Sequence, residues 1–426
     1  MSASFSSTLQ PPIWLQRIVL ALIGLYPLIS VAVNGGGSVV YALLVVPALF
    51  LAWSAYKELT HEERLWLAGY LVLFALALIG LTYTEDMHEG PPRLERYFRL
   101  ATTGLVFLLL LRLRLETGRL FLLGIPLAIV AMTAQAVYEV HYLHAGLADG
   151  LYHKIIFGDL AVLWFLLLLT ALLTVARKPW QWIVLSTAML MAIYPAVMSK
   201  TRGSWLALLV VLGLLLWLHR ERLSRRGWML ILGGVVALSM LLAIWQPRPL
   251  MNPMQSGIQE IQSYIKDPNC YTDGSWGPRL CMWRHSLIIW SEHPLFGAGL
   301  GDFLAESRVL VAEGVSKSAA VLKYGHAHSI FFDVLAGLGL VGLVALVTAI
   351  FVLPWRLFYR HYLEATEPWT RFYALGGLVT LSAFFVFGLT EAWTNRMPMV
   401  NPYIVCLVVF ASSLAVRARE NHAPGA

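Results

Sequence analysis

Apolar runs long enough to cross a lipid bilayer recur along most of this sequence. A membrane-spanning helix needs about 20 mainly apolar residues, and its backbone satisfies its own hydrogen bonds in the hydrocarbon. The chain is 58% hydrophobic and 13% charged, with a mean hydropathy of +0.69, which is too apolar for an ordinary soluble domain. The sequence therefore predicts an all-α polytopic membrane protein with about 12 transmembrane helices. The predicted spans are centred near Leu20, Val45, Leu73, Val106, Ile129, Trp164, Thr187, Val210, Gly234, Gly342, Val379 and Val408.

The basic residues indicate how the chain is oriented, because Lys and Arg concentrate in cytoplasmic loops. With the N-terminus inside, the inner loops carry more than twice as many Lys and Arg residues as the short outer loops. The outer residues are Arg93, Arg96, Arg99, Lys154, Lys200, Arg202 and Arg396. The first span has no basic n-region or small-residue cleavage site, so we expect a retained helix. Both termini are predicted to be cytoplasmic.

One long polar segment interrupts the hydrophobic pattern and is predicted to lie outside the cytoplasm. We expect spans 1–9 over residues 1–245, a folded cap over 246–325, and spans 10–12 with the C-terminus over 326–426. Within the cap, residues 256–267 and 278–292 are typical of short amphipathic helices, and Pro278 suits a first helical position. The apolar residues expected to form its core are Trp276, Trp283, Leu287, Trp290 and Phe296.

Two of the three cysteines, Cys270 and Cys281, lie in this cap, and Cys406 lies in the last span. An extracytoplasmic compartment is oxidising, which favours a Cys270–Cys281 disulfide. Two free thiols are the alternative. A metal site has little support, because the chain lacks the paired Cys-x-x-Cys spacing of such sites.

The cap also contains "GAGLG", from Gly297 to Gly301. This is a poor nucleotide-binding motif, because no strand is predicted before it and it lies outside the cytoplasm. Tight turns, or a group of backbone N–H donors near a site, are the expected roles. The sequence has no Walker-type phosphate loop, so nucleotide hydrolysis has no support.

Positive charge at the outer ends of the spans is the first indication of a ligand. Arg93, Arg96 and Arg99 are three residues apart and share one face of a helix that enters the membrane. Lys200 and Arg202 lie at the outer end of another span. Several guanidinium groups here favour an anionic ligand with phosphate oxygens. The alternative is that these side chains only reach lipid phosphates at the interface.

Basic residues in the cap extend this pattern. Arg279 and Arg284 flank Trp283 in "GPRLCMWRH". A surface position without a ligand is the alternative for Arg279, since isolated exposed charges contribute little.

Two histidines mark the boundary between the cap and the next span. His326 and His328 are two residues apart, so an extended segment would put both on one face. A general base, a polar boundary residue and a metal pair are the three alternatives, although no third metal ligand is spaced nearby. Asp333, inside the span, is expected to face a cavity or a partner. Glu391, at the outer end of a later span, is a candidate to orient a histidine.

Three sequence boxes occur in this region of the chain. "HSIFFDVLAGLGLVG" fits His-[Asn/Ser/Gln]-(nine residues)-Gly-x-x-Gly from His328 to Gly342. "SKTRGSW" resembles a Ser-x-Ser-Arg-Gly box, and "RLCMWRHSLIIWSEHPLFGAGLGDF" resembles an Arg-x-x-x-Trp…His-Pro-Leu-Phe-Gly-x-Gly stretch. Thr201 replaces the second Ser, and Gly337 stands where an acidic residue is common. In these boxes the chain resembles the bacterial O-antigen ligase/polymerase family. The resemblance covers about residues 199–342, and the helix count agrees over the whole chain.

The resemblance implies an O-antigen ligase, similar in fold to membrane-embedded polyprenyl-linked glycosyltransferases. Such an enzyme joins an O-antigen glycan from undecaprenyl pyrophosphate to a sugar of lipid A-core, at the periplasmic face of the bacterial inner membrane. It implies no cofactor and no metal. The expected partners are these two lipid-linked substrates and membrane lipids, without nucleic acid. An O-antigen polymerase or protein O-oligosaccharyltransferase of the same family is the first alternative, and a polyprenyl-lipid transporter is the second.

The resemblance also assigns roles. His328 is expected to be the base, and Arg202 and Arg279 are expected to stabilise the diphosphate leaving group. The alternative is that His328 positions the acceptor or the diphosphate without transferring a proton, and the sequence leaves both roles open. The residues expected to bind substrates are Lys200, Arg93, Arg96, Arg99, Trp283, Arg284, His326 and Glu391.

Overall fold

The computed structural model describes residues 12–220, 248–267, 274–316 and 321–421, and within these ranges the secondary structure is helical. The first nine helices are α1 Ile13–Ala32, α2 Gly36–Leu51, α3 His61–Leu81, α4 Gly90–Ala101, α5 Thr103–Arg112, α6 Gly118–Val137, α7 Lys154–Thr174, α8 Pro179–Met198 and α9 Arg202–His219. The other described helices are α10 Arg248–Lys266, α11 Gly277–Glu292, α12 Phe303–Ala312, α13 Ile330–Leu346, α14 Leu353–Glu364, α15 Pro368–Thr390 and α16 Met397–Asn421. Short 3₁₀ or π turns extend α2 to Glu58 and α6 to Tyr142, and join α13 to α14.

Ten of the described helices are long and apolar enough to cross a membrane, which confirms the predicted fold class. Each matches one predicted span. The predicted span near Val106 is not one continuous helix, because α4 and α5 divide that stretch at Thr102. The predicted span near Gly234 lies outside the described residues. The Thr102 hydroxyl donates to the Arg99 carbonyl at 2.8 Å and lies 3.0 Å from the Tyr41 hydroxyl. Such local side-chain bonds compete with helical ones, so the helix ends there.

Because successive spans alternate in direction, their connections collect at two polar ends. One end is held by ion pairs between distant segments, which are Glu62–Arg360 at 3.1 Å, Glu63–Arg419 at 3.1 Å and Glu116–Arg417 at 3.2 Å. The cap helices α10, α11 and α12 lie at the opposite end. Arg417 and Arg419 place the C-terminal part of α16 at the ion-paired end.

The cap has its own small core, which differs from the predicted one. Cys281, Met282 and Ile289 of α11 pack with Phe303 and Leu310 of α12. Leu287 and Phe296, which the sequence suggested for this core, are 44% and 53% exposed. An apolar side chain in a membrane protein need not be buried in protein, because lipid can cover it. The predicted helices of the cap are confirmed as α10 and α11, with Pro278 second in α11.

The helix α13 is broken at Gly339, whose φ is 66° and ψ is −163°. The loop that carries the "GAGLG" sequence fills the break with backbone hydrogen bonds. Ala298 and Gly299 N–H groups donate to the Ala336 and Gly337 carbonyls at 2.9 and 3.1 Å, while the Leu340 N–H donates to Pro294 O at 3.0 Å. The N–H groups of Ala298 and Gly299 therefore serve the fold, and are not free to bind an anion. Backbone of this kind is tolerated inside a membrane protein because its polar groups are satisfied.

Candidate functional site

A basic cavity of about 580 Å³ opens between the cap and the spans α7, α9 and α15. Its ionisable lining residues are Lys154, Asp159, Lys200, Arg202 and Arg279. The remaining lining residues are Leu147, Ile155, Thr201, Gly203, Ser256, Ser275, Trp276 and Thr390. Four cations and one carboxylate thus share one space, although they come from three separate parts of the chain.

Arg202 is the first residue of α9, and this position points its side chain toward the cap. Its Nη2 donates to Ser256 Oγ at 3.0 Å, whereas its Nη1 is buried and has no hydrogen-bond partner among the described residues. A buried guanidinium donor without a partner is expensive, so a site with such a donor is suited to an anion.

Arg279 lies in the first turn of α11 and is held at three points. Its Nε donates to the Thr390 carbonyl at 3.1 Å, and its Nη1 donates to Ser275 O and Oγ at 2.8 and 2.7 Å. Burial lowers the pKa of Arg279, and the charge of Glu391 opposes that change. Because an arginine pKa lies so far above neutrality, the guanidinium stays charged. The three hydrogen bonds fix its orientation.

His328 and Glu391 form a buried pair at the edge of this cavity. His328 Nδ1 lies 2.9 Å from Glu391 Oε2. Burial raises the pKa of Glu391, but the hydrogen bond from His328 and the positive charge of Arg396 hold it well below its usual range. An ionised carboxylate only accepts hydrogen bonds, so Nδ1 carries the proton in this contact and Nε2 is the ring nitrogen that faces away from Glu391's hydrogen bond.

His326 packs against this pair. The two imidazole rings are 4.4 Å apart, and His326 Nδ1 accepts from the His328 N–H at 3.2 Å. Burial lowers the pKa of His326 to about 3, so the ring is neutral at pH 7. The side chain of His328 adopts this position from a left-handed backbone, with φ of 48°. Strain of this kind persists only where surrounding contacts enforce it.

The donor atoms of His326, His328 and Glu391 lie within 4.8 Å of one another, as three metal ligands would. Arg396 is close to two of them. Its Nη2 lies 3.3 Å from His326 Nε2, and its Nε lies 3.6 Å from Glu391 Oε1. A divalent cation would meet this positive charge at close range, so these residues fit a metal ion poorly.

Asp333 and Arg93 hold the loop that carries both histidines. Arg93 Nη1 donates to Asp333 Oδ2 at 2.9 Å, and another Arg93 nitrogen bonds the Gly325 carbonyl. Asp333 also accepts from Asn395 Nδ2 at 2.8 Å and from the Ala327 N–H at 3.2 Å. Asp333 therefore has the buried partner that its position predicts. Arg93 is engaged by protein groups, which favours a positioning role over direct contact with a substrate.

The other residues that the sequence indicated are spread around the cavity. Lys200 lines it, with a φ of 54°. Trp283 Nε1 donates to Ala327 O at 3.0 Å, and its ring stacks on Phe332 with centroids 5.0 Å apart. Arg99 Nη1 donates to Asn401 Oδ1 at 3.0 Å. Arg96 and Arg284 are half-buried on α4 and α11, and neither they nor Arg99 are among the described residues that line the cavity.

Some residues of the site were missed or lie outside the described ranges. Asp159 lines the cavity and accepts from Ser204 Oγ at 2.6 Å. Its position inside an apolar run was the available signal, since ionisable residues in membrane spans are rarely incidental. Arg396 was counted only as a loop charge. Cys281 is buried, while Cys270 lies outside the described residues, so the disulfide stays a prediction.

Comparisons with known proteins agree with the boxes in the sequence. Residues 187–347 match the model of the O-antigen ligase family. A stretch of 164 residues is 29% identical to an uncharacterised protein of Haemophilus influenzae, and it covers 38% of this chain and 40% of that protein. All three boxes, and the residues Arg202, Arg279 and His328, lie inside the family match. The part of the chain that carries the candidate site is therefore similar to the O-antigen ligase family, and the described helices are those of a multi-pass membrane protein.

Proposed function

We propose that this protein is an O-antigen ligase. It transfers a glycan from undecaprenyl pyrophosphate to a sugar of lipid A-core, at the periplasmic face of the bacterial inner membrane. The reaction inverts the anomeric centre and needs no metal. In this orientation the ion-paired end of the spans faces the cytoplasm, as the loop charges predict, and the basic cavity opens outward.

The observation that carries the proposal is that Arg279 is connected, through the backbone at Thr390, to the His328–Glu391 pair. Arg279 binds the carbonyl of Thr390, and the next residue, Glu391, binds His328. A group able to take a proton is therefore held beside guanidinium groups able to receive a diphosphate. This is the combination that glycosyl transfer from a polyprenyl diphosphate requires.

The chemistry divides between the two groups. The acceptor hydroxyl attacks the anomeric carbon, and the bond from that carbon to the diphosphate oxygen breaks. The electron pair leaves with the diphosphate, whose added charge Arg202 and Arg279 stabilise, and one such positioned donor contributes about 10²–10³ in rate. The hydroxyl proton passes to His328 Nε2, and general-base help contributes roughly 10²–10⁴. Glu391 stabilises the imidazolium that forms.

A transporter of polyprenyl lipids fits these contacts less well. Transporters use unwound helices whose free backbone groups bind a substrate near the middle of the membrane. The break at Gly339 resembles such an unwound helix, but the Pro294–Gly299 backbone satisfies its polar groups. The charged side chains instead gather at one end of the spans.

Ligation by purified components tests the proposal. The protein is mixed with undecaprenyl-pyrophosphate glycan and lipid A-core, with EDTA and without ATP, and the products are separated on a gel. We expect a glycan ladder on lipid A-core from the wild type, and its loss in His328→Ala and Arg279→Ala. No ladder, in an assay that a known ligase passes, would favour a polymerase or protein transferase of the family.

Matched variants control for substitution itself. His88 has a side chain that is 94% exposed, and Arg308 is exposed on α12 of the cap. His88→Ala and Arg308→Ala should ligate as the wild type does. A ladder that survives His328→Ala would leave the ligase assignment intact and exclude the histidine as its base.

A further inference from the structure

A second cavity, of about 170 Å³, lies between α1, α2 and α16 at the same end of the molecule. Its lining residues are Tyr26, Ser30, Gly35, Gly37, Ser38, Tyr152, Met397, Pro398, Asn401 and Pro402. None of these described residues is charged, in contrast to the basic cavity. The polar groups are hydroxyls, one amide and backbone atoms, which are the groups that recognise a neutral ligand by hydrogen bonds.

Tyr26 is the least explained residue of this cavity. It is 0% exposed, and its hydroxyl has no hydrogen-bond partner within the described part of the chain. Most buried polar atoms in proteins are satisfied, and leaving one unpaired is costly. The hydroxyl lies beside Gly37, where a Cβ atom would come within 3.4 Å of it. The missing side chain at Gly37 therefore leaves room directly next to an unpaired donor.

The neighbouring hydroxyls complete a set with both donors and acceptors. Ser38 Oγ accepts from Asn401 Nδ2 at 2.9 Å, so its own proton remains available. Ser30 donates to Pro27 O at 2.8 Å, which leaves its oxygen able to accept. The hydroxyl of a sugar both donates and accepts, and therefore fits such a set.

Two short segments connect this cavity to the basic one. Tyr152 lines the uncharged cavity, and Lys154, two residues later, lines the basic cavity. Met397 and Pro398 line the uncharged cavity directly after Arg396, which lies 3.6 Å from Glu391. The lining of the uncharged cavity is thus connected to the His328–Glu391 pair through Arg396.

We infer that the uncharged cavity is the acceptor sugar subsite, and that it binds a neutral hexose or heptose through Tyr26, Ser38 and Asn401. This rests on the proposed transferase function. The basic cavity then takes the diphosphate, and the two substrates meet at His328. The free space between Gly37 and the Tyr26 hydroxyl determines which sugar ring fits.

Gly37→Ala gives the sharpest test. Gly37 lies in α2, and its Cβ atom would make contacts of 3.4 and 3.5 Å, so the variant should fold while the space beside Tyr26 is filled. We expect the KM for lipid A-core to rise about tenfold or more, with the KM for the lipid-linked donor unchanged. Tyr26→Phe removes one hydrogen bond and should raise the same KM by roughly two- to tenfold.

Gly213→Ala is the matched control, because Gly213 also lies in a helix and a Cβ atom there would have no neighbour within 4 Å. It should leave both KM values unchanged. An unchanged acceptor KM in Gly37→Ala, with the variant folded, would overturn the subsite and leave the ligase assignment standing.

A binding measurement separates this inference from the proposed activity. Soluble core oligosaccharide, released from lipopolysaccharide by mild acid, is added to the full-length protein in detergent, and saturation-transfer NMR detects contact with the sugar. We expect a signal from the wild type and Gly213→Ala, and a weaker one from Gly37→Ala. Equal signals from Gly37→Ala and the wild type, or none from the wild type, would overturn the assignment of this cavity as a sugar subsite.

Discussion

Arg279 Nε donates a hydrogen bond to the Thr390 carbonyl at 3.1 Å, and Thr390 is bonded directly to Glu391. The helix of the cap that carries Arg279 is thereby fixed against the end of α15 that carries the partner of His328. Movement of the cap would therefore change the position of a guanidinium and of the carboxylate together. The proposed leaving-group site and the proposed base are coupled by one backbone contact.

Replacing Glu391 by Gln should reduce turnover sharply. The amide keeps the shape but loses the negative charge that fixes the proton on His328 Nδ1 and stabilises the imidazolium. We expect kcat to fall by at least about a hundredfold, within the range for general-base catalysis. Initial rates of ligation at saturating substrates measure this.

Glu313→Gln is the control for this change, because Glu313 is exposed at the end of α12 in the cap. It should keep the wild-type rate. If Glu391→Gln also keeps a rate within threefold of the wild type, Glu391 does not assist His328.

The stability of the protein should fall as the pH drops from 7 to 5. Burial lowers the pKa of His326 from 6.5 to about 3, so the unfolded chain binds a proton in this range and the folded chain does not. Because stability decreases wherever the unfolded state binds more protons, this group favours unfolding by up to about 1.4 kcal/mol per pH unit below pH 6.5. Thermal unfolding in detergent across this range measures the slope.

His326→Gln removes the titrating group and should flatten that slope. The exposed His88 supplies the control, since His88→Gln should leave the slope as it is in the wild type. A slope that is equally steep in His326→Gln would assign the pH dependence to other groups.

The fold class and most spans could be predicted because they depend on local properties. Length and apolar composition define a span regardless of its neighbours. The break at Gly339 could not be predicted in this way, since it arises from contacts with another segment. At Thr102, a local hydrogen bond to the Arg99 carbonyl acts together with a contact to the distant Tyr41. The gap at Gly339 is filled by the backbone of the loop from Pro294 to Gly299, which precedes α13 in the chain.

The candidate site shows the same division. Arg202 was identifiable because charge at the outer end of a span is costly without a ligand, whereas Arg279 lies in the cap and was singled out by the box that contains it. Arg93 carried the same signal, but its partner Asp333 is 240 residues away, and the sequence alone does not pair them. Asp159 faces the basic cavity only because α7 packs against α9, so its role depends on tertiary structure.

Removing Arg93 should destabilise the protein strongly. Arg93→Met leaves Asp333 buried without its counter-charge, and breaking a buried ion pair in this way costs about 3–5 kcal/mol. The double variant Arg93→Met/Asp333→Leu removes both charges and should recover much of that stability. Thermal unfolding in detergent compares the variants, with Arg308→Met as the exposed control.

Activity should separate from stability in the same variants. Asp333 also accepts from the Ala327 N–H, and so positions the loop that carries His328. We therefore expect the double variant to be folded but slow, with a lower kcat than the wild type. Full activity in the double variant would show that the ion pair only stabilises the fold.

Gly339→Ala should prevent accumulation of the folded protein. The φ of 66° with ψ of −163° is a conformation that essentially only glycine adopts, and a Cβ atom would lie 2.4 Å from the backbone of Leu295. The loop from Pro294 to Gly299 would have to withdraw, which leaves the carbonyls and N–H groups of the broken helix without partners. Strain alone contributes on the order of 1–3 kcal/mol, and the lost hydrogen bonds add to it.

Gly213→Ala, in open space on α9, should accumulate normally. Size-exclusion chromatography of membrane extracts gives the yield of folded protein, and a normal yield of Gly339→Ala would mean that α13 closes its break when the loop is displaced.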